Sequence, residues 1–413
     1  MLPGILFMIL GLVVSVAIHE LGHLIPAKKF GAKVTQYFVG FGPTLWSTHK
    51  NGTEWGIKAI PLGGFVSIAG MLPPAKPGVP TTKKDGSPTL AEEARKQSAE
   101  EFTDPSQPGA FWRLPARLKL IVMLGGPLTN LVLSVLLMAG VTVGIGVPHL
   151  STTIANVAEC VESSGTCTPA PAHNIIKRND TIRKWGEKNV NSWTEIQQAI
   201  AAGGTTPTTV VVERNGKTTE LTVTPVMREF SDGKGASITK PYVGIGPAIE
   251  RKQGSIADVP VQAWNVAAGT TAILAQLPVK LWDAAATLVT GERRTPDSVV
   301  GIVGIADMAG SISAAQAHNY GFWDRLADLT MLLAGLNMTL FIFNMIPLLP
   351  LDGGHIIGSI IEGTRRHLAF RRGKNDPGPF DTARLLPLSY GMITFFIFMT
   401  LLLIVVDIVN PVV

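Results

Sequence analysis

Near its start the sequence reads Val16-Ala17-Ile18-His19-Glu20-Leu21-Gly22-His23-Leu24, at the end of an almost unbroken apolar run that begins at Ile5. On an α-helix, residues four apart lie on one face, so the imidazoles of His19 and His23 can reach one metal ion. Glu20 lies beside them and can take a proton from a water that the metal activates. We therefore predict a metal site with His19 and His23 as ligands and Glu20 as general base. The alternative is a solvated helix end, but ionisable groups in an apolar helix usually serve a function.

The composition indicates a membrane protein with a water-soluble portion. The chain has 413 residues, 46% of them hydrophobic, and a formal net charge of +5, with a mean hydropathy of +0.29. These values are high for a soluble protein, and the length allows two or three domains. The positive charge fits basic loops at a membrane face, and no basic stripe with interleaved aromatic residues is present, so nucleic acid is not an expected partner.

Four apolar segments predict membrane-spanning helices at residues 4–30, 118–147, 326–345 and 386–406. Lysines directly follow the first segment, and basic residues precede the second and the last. By the positive-inside rule, both termini then lie outside the cell and the basic loops lie in the cytosol. His19 would be roughly 25 Å into a hydrocarbon layer of about 30 Å, so the metal would lie within the membrane, nearer its cytosolic side.

Between the first two spans, residues 54–70 alternate in part and are broken by Pro61, Gly63 and Gly64, which predicts short strands in a hairpin. Open strands cannot face lipid, so this segment would pack against protein or line a wet cavity; an ordinary cytosolic hairpin is the alternative. Residues 73–109 are rich in Pro, Lys, Glu and Ser. That composition predicts a flexible cytosolic linker.

A polar residue interrupts the second span, within the stretch Gly125-Gly126-Pro127-Leu128-Thr129-Asn130. The small residues allow another helix to approach closely. Asn130 needs a polar partner in these surroundings, and helix packing and a role beside the metal site are equally open.

Residues 148–250 have the character of a soluble, β-rich domain. An Asn215-Gly216 turn joins two strands, and Ser192 is placed to cap a short helix. This pattern fits a small peptide-binding module. Cys160 and Cys167 fall here, on the predicted outer side, where they could form a disulfide; free buried thiols are the alternative.

The segment that follows, residues 251–322, is ambiguous. Residues 264–289 are apolar, yet Lys280, Asp283 and Pro278 favour an amphipathic helix at the outer membrane interface. A fifth span is the competing interpretation.

Asp352 is the predicted third metal ligand. It is the only carboxylate in the apolar stretch from Leu329 to Ile361, and prolines and glycines around it break the helix. Hydrolytic zinc sites commonly have three protein ligands. His355 as the ligand, or Asp352 as a simple helix cap, are the alternatives.

Taken together, the chain resembles the site-2 protease family of intramembrane zinc metalloproteases, in the bacterial form with one PDZ domain, and most closely its actinobacterial members. The resemblance rests on five motifs in the family's order: His19-Glu20-x-x-His23, Ile60-Pro61-Leu62-Gly63-Gly64-Phe65-Val66, Gly126-Pro127-Leu128-Thr129-Asn130, Gly301-Ile302-Val303-Gly304-Ile305-Ala306 and Asn344-x-x-Pro347-x-x-Pro350-Leu351-Asp352-Gly353-Gly354. Two stretches depart from the family pattern. Asn174-Ile175-Ile176-Lys177-Arg178-Asn179-Asp180 lacks both usual glycines, and Val300-Gly301 replaces Gly-Pro.

The resemblance implies that His19, His23 and Asp352 bind one catalytic zinc, with Glu20 as the general base. It also implies that Asn344 contacts the substrate backbone or the oxyanion. Asn130, Gly63 and Gly64 are further candidates for substrate binding. The implied substrates are single-pass membrane proteins, typically anti-sigma factors already trimmed outside by another protease, and the PDZ domain could bind a peptide ligand.

The predicted fold class is a polytopic α-helical membrane protein, with about four transmembrane helices and a membrane-associated β segment, plus an extracytoplasmic PDZ-like α/β domain. The predicted domains are an N-terminal membrane protease core (1–147), a PDZ-like domain (148–250), an interfacial amphipathic segment (251–322) and a C-terminal membrane core (323–413). The predicted function is intramembrane hydrolysis of peptide bonds. A membrane metal-ion transporter and an inactive PDZ-bearing receptor are the alternatives.

Overall fold

The structure is a computed structural model that describes residues 1–76, 78–100, 108–163, 166–231, 237–295, 298–315 and 320–411. The chain divides into two compact units. The larger comprises residues 1–144 and 255–413, and the smaller comprises residues 145–254.

The larger unit is mainly helical. Its helices are α1 (Leu2–Lys29), α2 (Leu90–Glu100), α3 (Ala116–Ala139), α5 (Val259–Ala275), α6 (Leu277–Thr290), α7 (Ile302–Ala314), α8 (Phe322–Asn344), α9 (Asp352–Arg371) and α10 (Leu386–Val409). Among the described residues, α1, α3 with its π-helical continuation to Ile145, α8 and the last helix are long and apolar enough to cross a membrane. These helices coincide with the four predicted spans.

Glycines let α1 and α3 approach closely beside the His19–His23 motif. A Cβ on Gly22 would overlap the Gly125 carbonyl, and one on Gly125 would overlap the Gly22 carbonyl. Two backbones can be this close only where neither residue carries a side chain. The crossing therefore fixes α3 directly behind the metal-binding face of α1.

The β segment differs from its prediction. Residues 54–70 do not form a hairpin with themselves; instead β2 (Thr53–Ile68) is one bent strand that pairs with β1 (Val34–Lys50). Residues 36–39 of β1 pair with 54–57 on one side and with 64–67 on the other. Gly40 at φ 94° and Gly63 at φ 104° adopt a backbone conformation that favours glycine. These two positions let the strands bend and fold back.

The segment 73–109 is not a uniformly flexible linker, because it contains α2. Residues 90–100 are mostly strong helix formers. Arg95 of this helix is buried, and its Nη2 donates to both carboxylate oxygens of Asp381, at 2.9 and 2.7 Å. Its Nε also donates to the Pro73 carbonyl at 3.2 Å. Residues 77 and 101–107 of the predicted linker lie outside the described residues.

The apolar segment 264–289 is not one helix. Helices α5 and α6 meet at an angle of 69°, and Pro278 lies in the first turn of α6, where proline is tolerated. Val259 of α5 packs against Ala334 of α8 and Met138 of α3. Whether the pair lies at the interface or enters the bilayer stays a prediction.

A buried ion pair holds the end of α10. Arg294 donates to Asp407 Oδ1 at 2.9 Å, and neither side chain is exposed. The backbone N–H groups of Gly301 and Gly304, at the start of α7, each donate to Asp407 Oδ2 at 2.9 Å. Where the family pattern has proline at position 301, this chain has a glycine whose N–H makes one of these bonds. The departure therefore supplies a donor to a buried carboxylate.

The smaller unit is β-rich, and its described strands enclose a helix. Its strands are β3 (Val147–Val157), β4 (Cys160–Ser163), β5 (Thr166–Pro169), β6 (Thr181–Trp185), β7 (Lys188–Asn189), β8 (Thr208–Arg214), β9 (Lys217–Val223), β10 (Val226–Ser231), β11 (Ser237–Tyr242) and β12 (Ile245–Lys252), and its helix is α4 (Trp193–Gly203). Ser192 caps α4 by accepting from the Glu195 N–H, and Asn215-Gly216 makes the turn between β8 and β9, both as predicted. Residues from α4 and the central strands form its core, including Ile196, Ile182 and Val210.

Two sequence features of this unit have a structural explanation. Cys160 and Cys167 are joined in a disulfide between β4 and β5, with Cα atoms 5.5 Å apart. Asn179 stands where the family pattern has a glycine, and it adopts φ 69°, a conformation that asparagine tolerates better than most residues. The next residue, Asp180, is fully buried. Burial alone would raise the pKa of its carboxyl, but hydrogen bonds from Arg214 and from the Lys177 N–H lower that pKa on balance.

Candidate active site

The structure brings His19, His23 and Asp352 together. The Nε2 atoms of the two histidines are 3.3 Å apart, and each is 3.3 Å from Asp352 Oδ2. Within the described residues, these three form the group of side chains that could hold a metal ion. Three donor atoms thus define a nearly equilateral triangle, although Asp352 is more than 300 positions away in the chain.

The triangle fits zinc. Bonds from zinc to nitrogen and oxygen ligands are about 2.0–2.1 Å, and the edge of a tetrahedron is about 1.6 times its centre-to-corner distance, which predicts ligand atoms about 3.3 Å apart. Asp352 Oδ2 is buried and has no hydrogen-bond partner, a costly state for a carboxylate unless a cation binds it. The donor set therefore suits a zinc ion with its fourth position free for water.

The connection between α8 and α9 positions Asp352 at the metal site. Leu351 is the N-cap of α9 and makes no side-chain cap bond, while Asp352 lies in the first helical turn. A Cβ on Gly353 would overlap the Ile346 carbonyl, and one on Gly354 would lie 2.7 Å from the backbone nitrogen of Leu349. These glycines let the connection fold tightly against the helix start. The carboxylate consequently faces the histidines rather than capping its own helix.

Helix α3 contacts both histidines from behind. His23 Nδ1 is 2.8 Å from the carbonyl oxygen of Val122. Asn130 Nδ2 is 3.2 Å from His19 Nδ1, and Asn130 is 1% exposed. Between them, a Cβ on Gly126 would overlap His23 Nε2. Positions 122, 126 and 130 follow one another at helical spacing, so one stripe of α3 supports the two ligands.

Glu20 and the three candidate ligands line a cavity of about 210 Å³, and its wall includes Gly64, Phe65 and Val66 of β2. The Val66 backbone is placed to donate a hydrogen bond to the Glu20 carboxylate. A Cβ on Gly64 would lie 2.8 Å from the Phe38 carbonyl and 3.0 Å from the Val16 side chain. Strand β2 therefore runs directly past the candidate general base.

Other predicted site residues have different positions. His355 lines the same cavity, but it is not one of the three residues of the candidate metal group. Asn344 is the last residue of α8, and neither it nor Gly63 is among the residues that line the cavity. The Val122 carbonyl and the space at Gly126 were missed, because a backbone acceptor leaves no signal in the sequence. The Gly126-Pro127 motif was the available hint.

A His-Glu-His helix with an aspartate partner, set among apolar helices, defines a metalloprotease that works in a membrane. The profile of peptidase family M50 matches residues 7–376, and the chain belongs to that family. It is 32% identical to the zinc metalloprotease Rip1 of Mycobacterium tuberculosis, over 99% of this chain and 98% of the relative. It is also 32% identical to Rip1 of Mycolicibacterium smegmatis, with the same coverage. Its identity to the metalloprotease MmpA of Caulobacter vibrioides is 28%, over 86% of this chain and 85% of that protein.

These matches confirm the predicted class. The protein is a zinc-dependent intramembrane protease with a catalytic zinc and several membrane helices. The transporter and the inactive receptor are therefore set aside.

Proposed function

We propose that His19, His23 and Asp352 hold the catalytic zinc, that Glu20 is the general base, and that the protein cleaves peptide bonds within the membrane-spanning segments of single-pass proteins. The observation that carries this proposal is the triangle of donor atoms at 3.3 Å beside Glu20. A triangle of this size has the ligand spacing of tetrahedral zinc.

Glu20 would perform the proton transfers. Zinc, when bound, supplies a Lewis acid that polarises the peptide carbonyl and lowers the pKa of water. The Glu20 carboxylate would accept a proton from the attacking water and then deliver it to the departing amine. The Val66 N–H would hold this carboxylate in the cavity, while β2 limits the access of bulk water.

Strand β2 is the proposed docking edge for the substrate. A helical segment keeps its carbonyls in intrahelical hydrogen bonds, so it must unwind before hydrolysis, and its freed backbone groups need partners inside a membrane. Residues 64–67 pair with β1 on one side, and they run past Glu20. An unwound substrate could add as a strand next to β2, with Gly63 and Gly64 leaving room for its backbone. Neither Asn130 nor Asn344 lines the cavity; Asn344 remains a proposed contributor to substrate binding, whereas Asn130 contacts His19.

The smaller unit, residues 145–254, is the proposed PDZ-like domain. A cavity of about 630 Å³ lies between α4 and the strand residues 240–245 and is lined by Trp193, Phe230 and Tyr242. An apolar groove between a helix and a strand suits an extended peptide. We propose that this groove binds an extended peptide segment.

The proposed topology places both termini and the smaller unit outside the cell, and the zinc nearer the cytosolic side. A folded domain of about 100 residues has a radius of gyration near 13 Å, and it would obstruct substrates with large external parts. The proposed substrates are therefore proteins of the anti-sigma factor type, after another protease has trimmed their external portion. The smaller unit would act as a size filter.

Deleting the smaller unit tests this substrate proposal. Leu150 and Ile249 pair directly across β3 and β12, so residues 151–248 can be replaced by an Asn-Gly turn that closes the remaining strands as a hairpin. We expect the full chain to cleave a single-span substrate with a short external tail faster than one with a folded external domain, which a domain of this size would obstruct. The deletion variant should cleave both at similar rates, measured by mass spectrometry of the products.

Two outcomes would contradict the proposal. If the cleaved bond maps outside the membrane-spanning segment of the substrate, the proposal that the protease cleaves within membrane-spanning segments is wrong. If the deletion variant is folded and zinc-loaded but does not cleave the short-tailed substrate, the smaller unit presents substrates and is not a filter.

A further inference from the structure

Asn130 makes a hydrogen bond with His19, and the zinc site determines which of the two residues is the donor. Its side-chain amide meets His19 Nδ1 at 3.2 Å through Nδ2, while Oδ1 of the same amide is buried without a partner. Nitrogen and oxygen of an amide are nearly alike in shape, so the orientation has to be assigned from the hydrogen-bond network. Rotating the amide by 180° exchanges the two atoms.

The neighbouring ligand shows which orientation is required. His23 Nδ1 faces the Val122 carbonyl oxygen at 2.8 Å, and a carbonyl can only accept, so Nδ1 of His23 must carry the proton. Its Nε2 then has a free lone pair, directed at the other two donor atoms. The backbone of α3 thus fixes the tautomer of one ligand.

His19 needs the same tautomer, because its Nε2 is the atom in the triangle. Its Nδ1 must therefore carry the proton and donate a hydrogen bond. The Asn130 Nδ2 group is also a donor, so it cannot accept this bond. With the amide rotated, Oδ1 accepts from His19 Nδ1, and the orphaned acceptor gains its partner. We propose that Asn130 is a positioning residue, which fixes His19 in its metal-binding tautomer through Oδ1, and that it does not bind substrate.

The inference rests on the proposed zinc site, with His19 as a ligand. The test compares Asn130→Asp, which keeps the acceptor at nearly the same volume, with Asn130→Leu, which removes it. A matched control is Asn337→Leu. Asn337 is also a fully buried asparagine in a membrane helix, and its Nδ2 donates to Ser15 Oγ at 3.0 Å and to the Leu333 carbonyl at 2.9 Å, neither of which belongs to a candidate ligand.

The measurement is zinc affinity, by competition with a chelating indicator on the full chain in detergent, together with thermal unfolding of the metal-free protein. Loss of an outer-shell partner typically lowers metal affinity 10- to 100-fold, and we expect this loss for Asn130→Leu. Asn130→Asp should bind zinc at least as tightly as the wild type. Asn337→Leu should unfold at a lower temperature while keeping its zinc affinity.

The outcomes are distinguishable. If the wild type does not bind zinc, or if His19→Ala binds it as tightly as the wild type, the proposed zinc site fails. If the wild type binds zinc but Asn130→Leu binds equally well, the positioning role is wrong and the proposed zinc site stands. If Asn130→Asp is as weak as Asn130→Leu, Asn130 does not act as an acceptor.

Discussion

Asp352→Ala is expected to lower zinc affinity by more than about 100-fold and to abolish cleavage, because mutation of an outer-shell group alone costs 10- to 100-fold. The substitution removes one of the three ligand atoms and leaves only the Nε2 atoms of His19 and His23, which are 3.3 Å apart. Two protein ligands are fewer than catalytic zinc sites use. Zinc content after dialysis, measured by mass spectrometry of the metal, reports the loss directly.

His355→Ala is the matched variant, since His355 lies one helical turn from Asp352 and lines the same cavity. It should retain zinc with a stoichiometry near one. The opposite pattern, in which Asp352→Ala keeps its zinc and His355→Ala loses it, would make His355 the third ligand.

Gly126→Ala is the second substitution with a large expected effect. The added methyl group would overlap His23 Nε2, and both flanking positions of the α3 stripe already contact a histidine. Overpacking typically costs about 1–3 kcal/mol of stability, and here the movement that relieves it displaces a proposed ligand. We expect zinc affinity to fall at least about tenfold, as it does when ligand orientation is lost.

Gly140→Ala serves as the control for this substitution. Gly140 continues the same helix, and a Cβ there would meet no atom within 4 Å. Its zinc affinity should equal that of the wild type in the same competition titration. Equal zinc affinity in Gly126→Ala and the wild type would mean that the histidine tolerates the methyl group, and that the contact with α3 does not determine ligand geometry.

The core of the site could be predicted because its residues stand out in the sequence, either by their spacing or as the one carboxylate in an apolar stretch. His19 and His23 are four residues apart on a helix, and Asp352 is a lone carboxylate in an apolar stretch. The positions of the four apolar helices follow from hydropathy for the same reason, since a span of lipid requires a long apolar run.

The features that were missed depend on distant partners. Strand β1 was not expected, because its register is set by pairing with both halves of β2. Helix α2 reads as polar linker, and the residue that anchors Arg95 is Asp381, 286 positions away. The bend between α5 and α6 was also missed, although Pro278 was an available signal, since proline is over-represented at the first position of a helix.

The most direct test of the account compares the wild type with Glu20→Gln in the same lipid vesicles, with one short-tailed single-span substrate. Glu20 lines the cavity but is not a member of the ligand triangle, so both proteins should contain about one zinc. General acid–base catalysis typically contributes 10²- to 10⁴-fold, and we expect Glu20→Gln to cleave slower by about that factor. Cleavage by Glu20→Gln at the wild-type rate, with zinc bound, would contradict the assignment of Glu20 as the general base and with it the proposed mechanism.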